Sequence, residues 1–195
     1  RPAIQRYRDG YQEVNHWPLF EPVTKYNVYA DAASELPVVL RQAFREMTSG
    51  SPAPAHVEPL GFTAEMVETD EAEMDVVVEE AFKSYPAFRP RPDPESIRAA
   101  AKVLEGAKRP VMVAGGGVRA SGAEKEIVAL AERLRMPVAT SLNGKGTIAE
   151  DHELSVGVVG SYSRWCANRV VWEADVVLFV GSRAGGMTTE FWRVP

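Results

Sequence analysis

The segment 110–124 (PVMVAGGGVRASGAE) constrains the fold of this chain more than any other stretch. Val111 to Ala114 is a short, unbroken apolar run between a proline and three glycines, the pattern of a parallel strand buried on both faces. Gly115, Gly116 and Gly117 permit positive φ and close approach of another group to the main chain. Ser121 and Glu124 have capping-box spacing, and Ile127, Leu130, Ala131 and Leu134 repeat at i, i+3, i+4 and i+7. A strand, a glycine turn and a helix start in that order can seat a phosphate or another anion, because free amides and the positive end of the helix dipole face the turn. A tight strand-to-helix turn without any ligand has the same sequence, so the turn alone does not fix function.

The surrounding sequence extends the pattern. Asp93 as N-cap and Pro94 at the first helical position predict a helix with Ile97, Ala100, Ala101 and Leu104 inward, ended by Gly106. Residues 136–140 (MPVAT) read as a second strand, followed by a polar glycine loop at 141–147. Residues 164–173 read as a helix and 175–181 (DVVLFVG) as a third strand, whereas 153–160 fits strand or loop equally. Strands alternating with helices imply right-handed crossovers. The expected fold class is therefore α/β, with a parallel, doubly wound, Rossmann-like sheet over 93–195. Ligands of such sheets bind beyond the carboxyl ends of the strands. Three glycine loops, 115–117, 141–146 and 181–186, are expected at that rim, with Arg119, Lys145 and Arg183 able to offset phosphate charge.

Residues 1–59 read as the tail of another α/β domain. Residues 1–30 are aromatic-rich, with Tyr11, His16, Trp17, Phe20, Tyr26 and Tyr29 among polar neighbours. Ser34 is expected to cap a helix carrying Leu36, Val39, Leu40, Ala43, Phe44 and Met47, which Gly50 stops. Residues 52–59 (PAPAHVEP) then read as a short extended segment, an edge or final strand. Residues 60–92 are acidic and proline-punctuated, including Glu65, Glu68, Asp70, Glu71, Glu73, Asp75, Glu79 and Glu80, and are expected to be an interdomain linker with a solvated charged face. Met74, Val77, Val78 and Ala81 have the spacing of a short amphipathic helix that docks on a neighbouring surface. The chain opens on Arg1 and stops soon after a strand of interior type, so we expect a piece of a longer polypeptide.

Several functions are argued against. A net charge of −5 and a pI near 5.4 do not suit nucleic acid as the main partner. No apolar run reaches the roughly 18 residues of a membrane span, so no membrane partner is expected. Cys166 is the only cysteine, which excludes an intrachain disulfide and favours a cytoplasmic setting. His16, His56 and His152 lack partners at metal-ligand spacing, so no metal site is expected. Ser121 and Ser141 lack a nucleophile elbow and are read as a cap and a loop hydroxyl; no catalytic residue is assigned. Trp165, Trp172 and Trp192 are read as core or interface anchors. Gly115-x-Gly117-x-x-Ala120 matches the dinucleotide fingerprint, but the second strand ends in Thr140, Ser141, Leu142 and Asn143, without the acidic residue a nicotinamide dehydrogenase needs for the ribose.

Residues 110–123, 140–146 (TSLNGKG), 157–160 (GVVG) and 180–183 (VGSR) together resemble the central domain of thiamine diphosphate-dependent enzymes of the acetolactate synthase, pyruvate oxidase and benzoylformate decarboxylase group. Residues 20–26 (FEPVTKY), the helix after them and 50–58 (GSPAPAHVE) are similar to the end of the pyrimidine-binding domain of the same enzymes. The resemblance implies three segments: 1–59 from the pyrimidine domain, 60–92 as linker and 93–195 as a truncated central domain. It implies thiamine diphosphate and Mg2+ chemistry on a 2-oxo acid in the parent protein, by decarboxylation or carboligation, and a homodimer or homotetramer. The family's catalytic glutamate lies earlier in the pyrimidine domain and its Gly-Asp-Gly motif in a third domain; the chain contains no Gly-Asp-Gly, so the piece alone is expected to be inactive. In members that carry FAD, the rim holds it, and matching positions are Gly116, Gly117, Ser141, Leu142, Asn143, Gly144 and Arg183. Ala184-Gly185-Gly186 and Lys145 depart from the synthase pattern and suit a related lyase or decarboxylase, one that need not carry flavin. Lys25 matches a lysine near the active-site entrance of the synthases, or packs as a surface cation against Tyr26. A nucleotide-binding module without thiamine chemistry and a purely architectural domain stay open beside this reading.

Overall fold

The computed structural model describes residues 14–59, 71–73 and 75–194. Tyr11, Glu65, Glu68, Asp70 and Met74, named above, lie outside the described residues. The chain divides into two compact units, Arg1–Pro90 and Arg91–Pro195. Among the described residues no helix is long and apolar enough to cross a membrane.

In the first unit, α1 (Trp17–Phe20) precedes β1 (Tyr26–Ala30), α2 (Leu36–Thr48) and β2 (Ala55–Pro59). β1 and β2 pair in parallel from Tyr26 opposite Ala55 to Ala30 opposite Pro59, and α2 is the crossover between them. Ala30, Ala33, Val39 and Ala43 form the buried layer. Ser34 does not cap α2. It lies in a 3-10 turn, Ala33–Glu35, and the helix follows with no side-chain cap. Pro37 in the first turn removes an amide that a cap would have bound, and Glu35 instead accepts from the Asp31 amide at 2.8 Å. At the other end Lys25 Nζ donates to the Ser49 carbonyl at 2.6 Å, where a cation also complements the helix dipole. Gly50 follows with φ +55°.

The amphipathic helix expected over 74–81 does not form. Val76, Val77 and Val78 lie outside any helix and are followed by a 3-10 turn, Glu80–Phe82. Three consecutive β-branched residues crowd a helix, and the segment is held instead by side chains of α2. Arg45 donates twice to Glu79, with Nε at 2.7 Å, and its guanidinium lies over the Phe82 ring. The Ala87 amide donates to the Thr48 carbonyl at 3.2 Å.

The second unit contains α3 (Pro94–Gly106), β3 (Pro110–Ala114), α4 (Gly116–Ser121), α5 (Glu124–Leu134), β4 (Val138–Thr140), β5 (Ser155–Val158), α6 (Trp165–Trp172) and β6 (Val176–Val180). Its four strands are parallel in the order β5-β4-β3-β6, so residues 153–160, undecided from sequence, supply an edge strand. Successive residues of β3 point to opposite faces. Met112 and Ala114 enter one core with Ile127, Ala131, Met136 and Val138; Val111 and Val113 enter another with Ala139, Ala167 and Val171. Burial on both faces is why this strand reads as an unbroken apolar run.

Two helix expectations are corrected here. Asp93 does cap α3, accepting from the Ser96 amide at 2.8 Å, but of the four positions expected inward only Leu104 packs on the core of this unit. Ile97 is 53% exposed, and Ala100 and Ala101 are exposed as well. The capping box at Ser121 is absent, because helix α4 already occupies 116–121: the Ser121 hydroxyl donates back to the Val118 carbonyl at 3.0 Å, as serines at helix ends do. Gly122, at φ +67°, ends that helix, and α5 starts after Ala123 without a side-chain cap.

At the amino end of the sheet Asp175 accepts from the Lys108 and Arg109 amides at 2.7 and 2.9 Å. These two bonds, to Lys108 first, hold its carboxyl below the ordinary range. A depressed folded-state pKa gives stability that is complete above the unfolded value of about 3.9 and is lost as pH falls through the folded one. Asp175→Ala is therefore expected to lower the urea midpoint at pH 7, with the gap to the parent chain closing below the usual aspartate range; a gap independent of pH would contradict the assignment.

Candidate functional site

The three glycine loops do gather on one rim. They leave the carboxyl ends of β3, β4 and β6, which are neighbours in the sheet. The chain runs outward from β3 through β4 to β5 and then returns to place β6 on the other side of β3, so the reversal of strand order, where doubly wound sheets form their crevice, lies between β3 and β6.

The glycines at that crevice are in contact with each other. The Gly115 amide donates to the Val180 carbonyl at 2.8 Å and the Gly117 amide to the Gly181 carbonyl at 2.9 Å. A Cβ on Gly115 would stand 2.3 Å from the Gly181 oxygen, and one on Gly181, at φ +60°, 2.5 Å from the Val118 nitrogen. Neither space exists for a side chain. In the second loop a Cβ on Gly144 would meet the Ala114 oxygen at 2.2 Å, while the Ser141 amide donates to that same oxygen at 2.9 Å. The smallness that sequence alone reads as room for a ligand is consumed here by backbone meeting backbone.

Of the seven rim positions expected from sequence, Ser141 and Gly144 are buried: the Ser141 hydroxyl accepts from the Gly144 amide at 3.1 Å. Gly116 and Gly117 are half-buried, the former facing the Asn143 side chain. Leu142, Asn143 and Arg183 are exposed. Among the described residues the Arg183 guanidinium has no hydrogen bond or ion pair. The other two rim cations are engaged: Arg119 donates to the Lys145 carbonyl at 3.2 Å, and Lys145 pairs with Glu150 at 2.8 Å. That lysine, by hydrogen bond first and charge second, holds the Glu150 carboxyl below its ordinary range.

Further contacts at the rim escaped the sequence reading. Asn168 in α6 clamps Gly160, accepting from its amide at 2.8 Å and donating to its carbonyl at 3.2 Å. The Ser161 amide donates to the Met187 carbonyl at 2.9 Å. Thus the loop after β5 is tied to the loop after β6. An asparagine in a helix gave no signal of this.

The remaining candidates separate. His16 bonds Glu58 at 3.0 Å, and His56 bonds Asn27 at 2.8 Å under a stacked Phe20. His152 accepts from the Leu154 amide at 3.1 Å. Among the described residues no group of three or more His, Cys, Asp or Glu could hold a metal ion. Lys25 is committed to the end of α2 by the bond to Ser49. Trp165 and Trp172 are 73% and 66% exposed, so the core alternative for them is excluded, as it is for the exposed Trp192.

Residues 97–194 match the family described as thiamine pyrophosphate enzyme, central domain. The chain is 37% identical over 183 residues to a probable acetolactate synthase large subunit from Methanocaldococcus jannaschii, covering 93% of this chain and 30% of that protein. It is 34% identical over 195 residues to the acetolactate synthase isozyme 1 large subunit of Escherichia coli K12, covering 97% and 33%. To the glyoxylate carboligase of Escherichia coli O157:H7 it is 34% identical over 183 residues, covering 93% and 30%. It therefore spans about a third of the length of these relatives. With its parallel, helix-flanked sheet and this match, the chain belongs to the thiamine pyrophosphate enzyme family, whose central domain it carries.

Substituting alanine at Gly115 tests the closed crevice. Its Cβ would overlap the Gly181 carbonyl, and overpacking of this kind costs about 1–3 kcal/mol. Urea unfolding of Gly115→Ala is expected to show a loss of that size, whereas Gly106→Ala, with nothing within 4 Å of its added carbon, should lose none; equal midpoints would contradict the packing.

Proposed function

We propose that the chain is one part of a thiamine diphosphate-dependent lyase or transferase acting on 2-oxo acids, by decarboxylation or carboligation. In this reading 1–59 ends a pyrimidine-binding domain, 60–92 links, and 93–195 is the central domain. The observation that carries it is the alignment with acetolactate synthase and glyoxylate carboligase across more than nine-tenths of the chain, which extends well before the central domain. The parallel β1-α2-β2 unit supports the same reading. The parent is a homodimer or homotetramer working in the cytoplasm.

Thiamine diphosphate, when bound, supplies the electron sink that stabilises a carbanion next to the former carbonyl. This chain's described residues do not fit the cofactor's Mg2+-diphosphate end, since they offer no acidic metal cluster and the sequence no Gly-Asp-Gly. Their part is architectural: the interlocked loops hold the rim in one arrangement. The chain alone, given thiamine diphosphate, Mg2+ and pyruvate, is expected to release no carbon dioxide and form no new carbon–carbon bond. Turnover in a coupled decarboxylation assay would contradict this.

A second reading is favoured by exposed Arg183 in the loop after β6, uncommitted among the described residues, and exposed Leu142 and Asn143 in the loop after β4, the strand on the other side of β3. Arg183 and the Asn143 side-chain amide, with half-buried Gly116, are suited to the pyrophosphate portion of FAD or a similar nucleotide, and Leu142 to an apolar part of it. Titration with FAD and with ADP is expected to saturate. Arg183→Ala should weaken binding about tenfold or more, the usual worth of a hydrogen bond to a charged group, and Glu150→Gln should strengthen it by releasing Lys145. If neither nucleotide binds, the rim is purely architectural.

A further inference from the structure

The first unit carries an apolar groove of about 460 Å3, distant in sequence from the glycine loops. One wall is the outer ridge of α2, where Leu36, Leu40 and Phe44 recur every four residues and so stand on one face. The other wall is the non-helical run Val76–Val78 with Phe82. Leu40, Phe44, Val76, Val77 and Val78 are all exposed. This is a concentration of wet apolar surface unlike scattered single side chains. Its size falls in the range of small-molecule sites, about 300–1,000 Å3.

Charge on the lining is unevenly placed. Glu79 is occupied by Arg45 through two hydrogen bonds, which also lower its pKa, and Lys83 pairs with Glu80 at 2.6 Å. That leaves Arg41, half-buried on the groove lining and without a hydrogen bond or ion pair among the described residues. Its charge also acts on Glu79, after that of Arg45. A long apolar trough with one uncommitted guanidinium has the complementarity of a molecule with an apolar body and a single carboxylate. A cationic amphiphile would find no free carboxylate on the lining.

We propose that this groove binds a small amphipathic carboxylate, an aliphatic or aromatic acid whose body lies along Leu36, Leu40 and Phe44 and whose carboxylate meets Arg41. The wall formed by Val76–Val78 is tied to α2 by the Arg45–Glu79 pair, together with the Arg45–Phe82 contact and the Ala87–Thr48 hydrogen bond. Binding and the position of the acidic segment are thereby linked.

Calorimetric titration of the protein with decanoate and with decyltrimethylammonium, which share a chain length and differ in charge, tests this. Decanoate should bind one per chain and the ammonium at least about tenfold more weakly. Arg41→Ala should cost decanoate about tenfold, and Arg41→Glu should reverse the preference; both changes are at the surface, and circular dichroism checks that the fold is kept. Equal affinity for the two chains, or indifference to Arg41, would overturn the proposal by reducing the groove to a non-specific apolar patch. So would self-association through this face, seen by sedimentation, with no decanoate uptake.

Discussion

The second unit depends on the contact between the backbones that leave β3 and β6. At the point where strand order reverses, Gly115 and Gly117 hydrogen-bond to Val180 and Gly181, and no carbon can be added to Gly115 or Gly181 without entering a neighbour's main chain. Glycine is needed there for two reasons. It allows the approach, and at Gly181 it also allows positive φ. Conformational freedom is lost at these residues, but the Gly115 and Gly117 amides each gain a partner across the crevice. The remaining loops build on this junction, since Gly144 and Ser141 press on Ala114 and Asn168 holds Gly160.

This arrangement changes what a glycine-rich rim means chemically. An open glycine turn offers amides to an anion; here two of the amides that such a site would use are already bound to carbonyls. Of the positions expected to hold a ligand there, Leu142, Asn143 and Arg183 stay exposed. Groups fixed in advance lose little freedom when a ligand binds. The chain spans about a third of the length of the relatives it matches.

Sequence revealed the sheet and concealed much of the detail, for physical reasons. β3 and β6 were legible because strands of a doubly wound sheet are apolar throughout, and Asp93 and Pro94 because a helix start has few alternatives. Ser34 and Ser121 misled because capping depends on which amides are free: Pro37 removed one, and the earlier start of α4 had already drawn Ser121 into a helix. Met74, Val77, Val78 and Ala81 have helical spacing, yet the β-branched run Val76–Val78 and the bonds from Arg45 to Glu79 leave a non-helical wall. Ile97 and Ala101 form an apolar helix face that their own unit leaves exposed, and periodicity cannot say what covers such a face. At the rim the location was legible, but a glycine reads the same whether a ligand or another backbone comes close.

Amide hydrogen exchange resolved to single residues by NMR measures the central contact most directly. With no nucleotide present, the Gly115 and Gly117 amides should exchange as slowly as those within β3, since each is bonded across the crevice. Exchange of these two amides at the rate of an open loop, slowing only when nucleotide is added, would mean the crevice is empty in the free protein and would contradict the account.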